Sequence, residues 1–295
     1  MLSRPFWLGP CLVLVAAISF AAGSTTAVVA YDAGATPLSV ITTRITFTLL
    51  VLFVLIRVTG GELGLPPRDR AIALAIGLVL GVQSYAHYEA IGLLPVAIAI
   101  LVFYLFPLLV GLISHFTGDE RMSPMLGVAL VVAAVGLFFA LDVTGDGLDA
   151  TGIMLAGVAA MTFSVVVVVN ASLIRRTGRS LPVTFHMNLT ASAAFIAISA
   201  VLGDFPLPAT REGWIAFTAV PVFYSVGLIC FFIAVGAMGA VRASLFMNLE
   251  PIAAIILGFT LLGQVLTPLQ LLGAGLVVSA IIAGRWSTAA KSRTD

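Results

Sequence analysis

Residues 90–107 read AIGLLPVAIAILVFYLFP, and residues 234–251 read AVGAMGAVRASLFMNLEP, 144 positions later in the chain. Each stretch has a glycine at its third position, ends in a proline and is rich in apolar residues. The recurrence of helix-breaking residues at one fixed offset indicates a duplicated structural unit. Each copy holds five apolar segments. Because five is an odd number, the two copies are predicted to face opposite ways across a membrane.

The composition independently indicates a membrane protein. Hydrophobic residues make up 61% of the 295 positions and charged residues only 9%, which is too little polar surface to cover a soluble globule. Backbone groups in lipid must be paired within their own segment, so long apolar runs predict helices. Runs of about 20 residues, enough to cross a hydrocarbon core, cover residues 6–30, 37–58, 71–93, 95–116, 124–142, 151–173, 182–203, 213–236, 242–262 and 267–286.

The predicted fold is therefore an all-α integral membrane protein with ten transmembrane helices in two inverted five-helix repeats. The first repeat is predicted over residues 6–143 and the second over residues 150–286. Nearly all of the 14 Lys and Arg residues fall in loops of one side when the N-terminus is cytoplasmic, as the positive-inside rule requires. Both termini are then cytoplasmic, in a multi-pass protein of a bacterial inner membrane. The formal charge of +1 argues against a nucleic-acid partner.

Several of these features resemble the drug/metabolite transporter superfamily, EamA type. The two quoted stretches are similar to its third-to-fourth and eighth-to-ninth helix hairpins, and residues 267–275, TPLQLLGAG, are similar to the start of its last helix. Arg44 in the second span matches the position of an arginine that is common in the family. The resemblance implies ten helices, inverted repeats, a central cavity and export of small metabolites.

Charged residues within the spans are candidates for function, because a charge in hydrocarbon is costly and is rarely kept without a partner or a use. Arg44 and Glu89 lie at similar depths from the same end of their spans, so we expect them to form a pair across a cavity. Arg44 is then able to exchange this partner for a substrate carboxylate, which the planar guanidinium group fits well. The alternative is a structural salt bridge between helices, or a Glu89 side chain that reaches toward the membrane surface.

The 144-residue offset maps Arg44 onto Asn188 and Thr42 onto His186. Glu250 enters the ninth span at a depth similar to that of His186 and Asn188, so the three are predicted to form an inner polar cluster. Glutamate and histidine side chains exchange protons, which makes Glu250 and His186 candidate proton carriers and Asn188 a candidate substrate ligand. Alternatively, Glu250 hydrogen-bonds locally beside Pro251.

The third span is the most polar of the ten, with Tyr85, His87 and Glu89 close together. Tyr85 and Glu89 share a helix face, since they are four residues apart, and Tyr104 follows across the short turn to the fourth span. Tyr85, Glu89 and Tyr104 are candidate substrate-binding residues, and His87 is a candidate for proton coupling. Ordinary aromatic packing is the alternative for the rings.

The repeated glycines and prolines, Gly92, Pro107, Gly236 and Pro251, are candidate hinges. Glycine allows helices to approach closely, and proline removes a backbone donor and bends its helix. Two inverted bundles with similar packing energies can open a shared cavity to either side. The alternative is that these residues only shape static packing.

The sequence therefore predicts a secondary transporter rather than an enzyme, because no catalytic triad, metal-binding cluster or phosphate-binding loop is apparent. We expect export of amino acids or related small metabolites by alternating access, with proton antiport as the preferred driving mode. The expected partners are a small-molecule substrate, the lipid bilayer and protons, without a cofactor, in a monomer or weak homodimer. The alternatives are uptake or facilitated diffusion of a cofactor-like solute, and a non-transporting membrane scaffold.

Overall fold

The computed structural model describes residues 7–94, 96–118, 123–141, 149–203, 205–262 and 267–289. These residues form helices, turns and loops, without a β-strand among them. Positions 6 and 143, which bound the first predicted repeat, lie outside the described residues. The helices are α1 (Leu8–Asp32), α2 (Pro37–Val58), α3 (Pro67–Leu93), α4 (Val96–Phe103), α5 (Phe106–Phe116), α6 (Pro124–Ala140), α7 (Ala150–Thr177), α8 (Ser180–Leu202), α9 (Arg211–Met238), α10 (Ala240–Met247), α11 (Leu249–Leu262) and α12 (Pro268–Ala289).

The helices agree with a multi-pass membrane protein. Within the described ranges, eight helical segments are long and apolar enough to cross a bilayer, and α6 together with residues 268–283 of α12 are shorter apolar helices. Two of the eight segments are composite, because residues 98–116 combine α4 with α5 and residues 240–257 combine α10 with α11. The all-helical prediction is confirmed, and the helices are consistent with ten spans.

The two composite spans are interrupted at equivalent positions. A turn that begins at Tyr104 separates α4 from α5, and Asn248 separates α10 from α11. Tyr104 and Asn248 are 144 residues apart, and each precedes a repeated proline, Pro107 or Pro251, by three residues. Since proline has no N–H group, it cannot donate to the carbonyl group four residues earlier, and a helix is easily broken there.

The main helix contacts join the first half of the chain to the second. Helix α1 packs on α9, α3 on α7 and α8, α2 on α8 and α9, and α6 on α12. Glycines allow several of these approaches: a Cβ atom built on Gly77 of α3 would lie 2.2 Å from the carbonyl oxygen of Met187, and one built on Gly273 would lie 2.2 Å from the nitrogen of Ala140. Gly77 therefore makes an internal helix contact.

Loops at opposite ends of the bundle define two faces. The Pro37 face carries the helix ends Asp32, Pro37, Leu93, Leu202 and Arg211. The Pro67 face carries the helix ends Val58, Pro67, Thr177, Ser180 and Met238. At the Pro37 face, the nitrogen of Ala209 donates to the carbonyl oxygen of Ala33 at 2.8 Å. At the Pro67 face, Arg179 donates to the carbonyl oxygen of Gly64 at 2.9 Å.

Candidate functional site

A cleft of about 940 Å³ opens between the Pro37-face ends of α2, α3 and α8. Thr36 and Pro37 line it on one side and Phe195 of α8 on another. Most of its lining residues are apolar. Tyr85 and Glu89 also line the cleft, and both side chains are exposed. Two of the predicted substrate-binding residues therefore lie in one accessible space.

Arg44 does not line this cleft but lies next to Tyr88, which does. The Arg44 guanidinium carbon is 4.7 Å from the centre of the Tyr88 ring and 4.3 Å from the centre of the Tyr224 ring. Its Nη1 atom donates a hydrogen bond to the Tyr88 hydroxyl group. The cation is thus held between two aromatic faces, an arrangement that ring quadrupoles stabilise.

The expected ion pair between Arg44 and Glu89 is absent from the part of the chain that the structure describes, where the two ion pairs shown involve Arg176 and Arg179. Glu89 faces the cleft, whereas Arg44 turns toward the tyrosines. The prediction was wrong because sequence position gives the depth of a residue along its helix, but not its direction around the helix axis. Arg44 keeps partial exposure, while its Nε atom is buried without a hydrogen-bond partner.

Hydrogen bonds between helices hold α2 in place around Arg44. Three hydroxyl pairs join α2 to α8 and α9: Thr42 with Ser199 at 3.1 Å, Thr46 with Ser192 at 2.8 Å, and Thr48 with Ser225 at 2.8 Å. Such pairs join helices in an apolar medium without the need for charges. The side chains at positions 42, 46 and 48 thus fix the rotation of α2 and the direction of Arg44.

The Tyr224 ring also packs against α1. The Phe20 ring meets the Tyr224 ring edge to face, with 5.8 Å between the ring centres. A Cβ atom on Gly227 would lie 2.9 Å from the Phe20 ring, so glycine there lets Phe20 approach α9. Tyr31 meets Tyr88 edge to face at 6.5 Å on the other side of Arg44. Both tyrosines against Arg44 are therefore packed on further aromatic rings.

The two helix breaks lie near Arg44 and the two tyrosines that contact it, Tyr88 and Tyr224, which together we call the Arg44 group. Glu250, in the first turn of α11, interacts electrostatically with Arg44 and with the Tyr104 hydroxyl group at the other break. That hydroxyl group is buried and has no hydrogen-bond partner of standard geometry. The His87 ring packs on Phe103 with 4.4 Å between ring centres. Glu250 and Arg44, from opposite halves of the chain, therefore influence each other electrostatically without forming a direct ion pair.

The predicted inner cluster of Glu250, His186 and Asn188 is not formed among the described side chains. His186 Nδ1 bonds the Pro182 carbonyl oxygen at 2.8 Å, and Asn188 Nδ2 donates to the Thr184 carbonyl oxygen at 2.8 Å. Both lie on α8, which packs on α2 and α3, whereas α11 packs on α1. Similar depth again did not mean proximity. The Asn188 Oδ1 atom remains buried without a partner.

The repeated glycines differ in their surroundings. A Cβ atom on Gly236 would lie 2.8 Å from Cγ2 of Ile174, whereas a Cβ atom on Gly92 would meet nothing within 4 Å. Sequence reasoning missed Gly239, which has a φ of 89° between α9 and α10. It also missed Tyr31 and Tyr224. The signal was available in the scarcity of tyrosine, since all five tyrosines lie at the cleft, at Arg44 or at Glu250.

The charged groups of this region are a guanidinium group and a carboxylate group. Among the described residues, His, Cys, Asp and Glu side chains form no group of three that could hold a metal ion. A guanidinium group and a carboxylate group lie instead in an interior lined by aromatic rings. The helices and this site define a multi-pass membrane protein with charged and aromatic side chains in its interior.

The chain belongs to the EamA-like transporter family, whose profile matches residues 7–141 and again residues 150–283. The resemblance seen in the two helix hairpins is therefore confirmed. The family assignment indicates a transporter and not an enzyme.

Individual relatives agree with this assignment. The chain is 28% identical over 285 residues to the threonine/homoserine exporter RhtA of Escherichia coli strain K12, covering 94% of this chain and 90% of that protein. It is 27% identical to the threonine/homoserine exporter RhtA of Salmonella typhimurium strain LT2 over the same shares. One protein of known crystal structure, with 21% identity, superposes with a TM-score of 0.74 over 92% of this chain and 96% of its own, and so has the same fold.

Proposed function

We propose that the protein is a bacterial inner-membrane secondary transporter that exports amino acids or closely related small metabolites. One observation carries the proposal: Arg44 lies inside the helix bundle between two tyrosines, without an ion pair to an acidic side chain in the described part of the chain. A charge inside a membrane protein is costly unless it has a partner or a use. A carboxylate of the substrate supplies that partner. The names of the exporter relatives support the same substrate class.

The planar guanidinium group of Arg44 suits a carboxylate. Nη1 donates to the Tyr88 hydroxyl group, while Nε is buried without a partner. A guanidinium group binds a carboxylate best through two parallel N–H groups, and such charge-assisted pairs are about twice as strong as neutral hydrogen bonds. Arg44 is therefore the proposed ligand of the substrate carboxylate group.

Glu250 is the proposed ligand of the substrate ammonium group. It interacts with both Arg44 and Tyr104, so the interior offers an anion and a cation to one zwitterionic molecule. A proton and an ammonium group then compete for the same carboxylate, which is the elementary requirement of proton antiport. Tyr85 and Glu89 in the cleft form the outer approach to this site, and His87 is retained as a second proton-exchanging candidate.

The pairing of helices supports two inverted repeats, residues 6–143 and 150–286, and alternating access between them. The 144-residue offset converts the α1–α9 contact into the α7–α3 contact, and it converts the α2–α8 and α6–α12 contacts into themselves. This exchange is what a pseudo-two-fold axis in the membrane plane produces. Two nearly equivalent arrangements of the halves then expose the site to opposite sides in turn.

The distribution of basic residues supports a cytoplasmic Pro67 face. Arg68 and Arg70 begin α3, and Arg175, Arg176 and Arg179 lie around the α7–α8 turn on the same face. With the Pro67 face in the cytoplasm, the cleft opens outward and both chain termini are cytoplasmic.

The proposal is tested by counterflow of radiolabelled threonine in proteoliposomes, with threonine amide as the matched compound without a carboxylate. We expect wild-type protein to prefer threonine and Arg44→Gln to lose affinity by about 10- to 150-fold, because hydrogen bonds to charged groups contribute about 1.5–3 kcal/mol. Arg57→Gln is the control, since Arg57 is exposed near the end of α2. Equal transport of both compounds, or full activity in Arg44→Gln, overturns the carboxylate role.

Proton coupling is tested in the same vesicles with an imposed pH gradient. We expect the gradient to drive net threonine movement by wild-type protein, and Glu250→Gln to keep exchange while losing that response. Flux that ignores the gradient indicates facilitated diffusion instead. Absence of flux for any amino acid favours a different solute, such as a cofactor-like molecule, or a scaffold without transport.

A further inference from the structure

Tyr88 belongs both to the cleft and to the Arg44 group. It lines the cleft with Glu89, and its ring lies over the guanidinium group while its hydroxyl group accepts from Nη1. A solute that passes between Arg44 and the cleft must therefore move past this ring or displace this hydrogen bond. Tyr224 makes a useful contrast, because it stacks on the same cation but does not line the cleft.

The Tyr88 hydroxyl group occupies a donor that a substrate carboxylate also needs. A phenol oxygen is a neutral acceptor and a carboxylate is a charged one, so a carboxylate that binds across both Nη atoms competes with the Tyr88 hydroxyl group at Nη1. When Tyr88 returns to Arg44, it compensates the guanidinium group for part of the interaction lost with the departing carboxylate. The cost of leaving this intramembrane cation without a partner is thereby reduced.

Resting on the proposed role of Arg44, we propose that Tyr88 is the residue that releases the substrate. It replaces the carboxylate at Nη1 and so passes the solute from Arg44 to the cleft. Tyr88 thus lowers the affinity of Arg44 for the substrate when the site is connected to the cleft, and it speeds the release of substrate into the cleft. Such a device suits an exporter, because a charge-assisted pair between a guanidinium group and a carboxylate is strong and must be broken before the solute can leave.

The aromatic neighbours of Tyr88 contact its ring. Tyr31 meets it edge to face at 6.5 Å, and His87 does so at 5.9 Å. Both contacts are ring contacts, which persist when the hydroxyl group is removed. The variant Tyr88→Phe therefore removes the competing oxygen and leaves the packing.

The test compares Tyr88→Phe with Tyr224→Phe, which removes the hydroxyl group from the other stacked ring. We expect Tyr88→Phe to bind threonine more tightly by about fivefold, the equivalent of one net hydrogen bond, and to have a lower maximal rate of transport. Tyr224→Phe should not raise the affinity, because Tyr224 contacts the Arg44 cation through its ring. The decisive result is an affinity for threonine that rises while the maximal rate of transport falls. If Tyr88 merely held Arg44 in position, its replacement would lower the affinity instead.

A second measurement uses the wild-type protein. Threonine should change the ultraviolet difference spectrum of tyrosine as the Tyr88 hydroxyl group leaves Arg44, and the change should be missing in Tyr88→Phe and present in Tyr224→Phe. Weaker threonine binding by Tyr88→Phe, or an unchanged spectrum in wild-type protein that binds threonine, overturns the release role. Failure of the proposed function is distinct, because Arg44→Gln would then bind threonine as wild-type protein does.

Discussion

The ends of α3 and α9 occupy equivalent positions in the two halves but have different neighbours. Near the end of α9, a Cβ atom on Gly236 would lie 2.8 Å from Cγ2 of Ile174 and 2.9 Å from Oγ of Ser180. Near the end of α3, a Cβ atom on Gly92 would meet nothing within 4 Å. Gly236 is therefore packed against its own half, whereas the equivalent side of α3 at Gly92 is open.

The offset of 144 residues shows which contact Gly92 lacks. It maps Ile174 and Ser180 onto Ala30 and Thr36, and Thr36 lines the cleft. The cleft thus lies at the position on the Pro37 face that is equivalent to the contact of Gly236 with Ile174 and Ser180 on the Pro67 face. We infer that this conformation is closed at the Pro67 face and open at the Pro37 face, and that exchanging the two environments gives the opposite state.

The largest expected effect comes from Gly92→Leu. Leucine has room in the open conformation, so thermal stability should change little, but it would overpack a contact with Ala30 and Thr36. Overpacking costs about 1–3 kcal/mol, which reduces the population of the opposite state by about 5- to 150-fold. Threonine transport should fall accordingly in proteoliposomes, while threonine binding from the open face is kept.

The control is Gly275→Leu in α12, because a Cβ atom there also meets nothing within 4 Å. This exposed position should accept leucine with normal transport. Normal transport by Gly92→Leu would mean that the end of α3 never closes, and the comparison between the two helix ends would lose its functional meaning.

The next effect concerns the ion pair between Arg176 and Asp69, which joins the end of α7 to the start of α3 at the closed face. Asp69 is only 8% exposed. Arg176→Gln leaves this carboxylate without its cation, which we expect to cost about 1–3 kcal/mol in thermal unfolding. Arg70→Gln, at an exposed position in the first turn of α3, is the control. Equal melting temperatures for the two variants would show that the pair does not stabilise the closed face.

The sequence predicted the repeat and its breaks better than it predicted contacts. Pro107 and Pro251 mark the breaks because the lack of an N–H group is a property of the residue itself. The partner of Arg44 was mispredicted because it depends on the rotation of α2, which hydroxyl pairs with two distant helices fix. Tyr224 was missed for a related reason: its role appears only after α9 is packed beside α2.

Gly236→Ala probes the packed helix end with a smaller change. The added methyl group crowds Ile174 and Ser180 at a cost of about 1–3 kcal/mol, but alanine recovers about 1 kcal/mol of helix propensity over glycine. The net destabilisation should therefore be modest, and the Pro67 face should open more often. A cysteine introduced at Ser180 should then react faster with a membrane-impermeant maleimide, whereas Gly92→Ala should not speed that reaction. Equal reaction rates in both variants would contradict the difference between the two helix ends.

The smallest effect is expected at the exposed ion pair of the closed face, where Arg179 Nη2 is 2.8 Å from Glu62 Oε2. The hydrogen bond from Arg179 and its positive charge hold the pKa of the Glu62 carboxyl group below its usual range. A carboxyl group with a lowered pKa in the folded state contributes stability above its unfolded pKa and loses it as the pH falls through the folded value. Near neutral pH, a cysteine introduced at Ser180 on the Pro67 face should therefore react with the maleimide faster in Glu62→Gln than in otherwise wild-type protein. In acid below the usual pKa range of glutamate, the two reaction rates should be equal. Because the pair is exposed to solvent, high salt should also remove the difference. A difference that persists in acid and in high salt would have to come from packing around residue 62 and not from its charge.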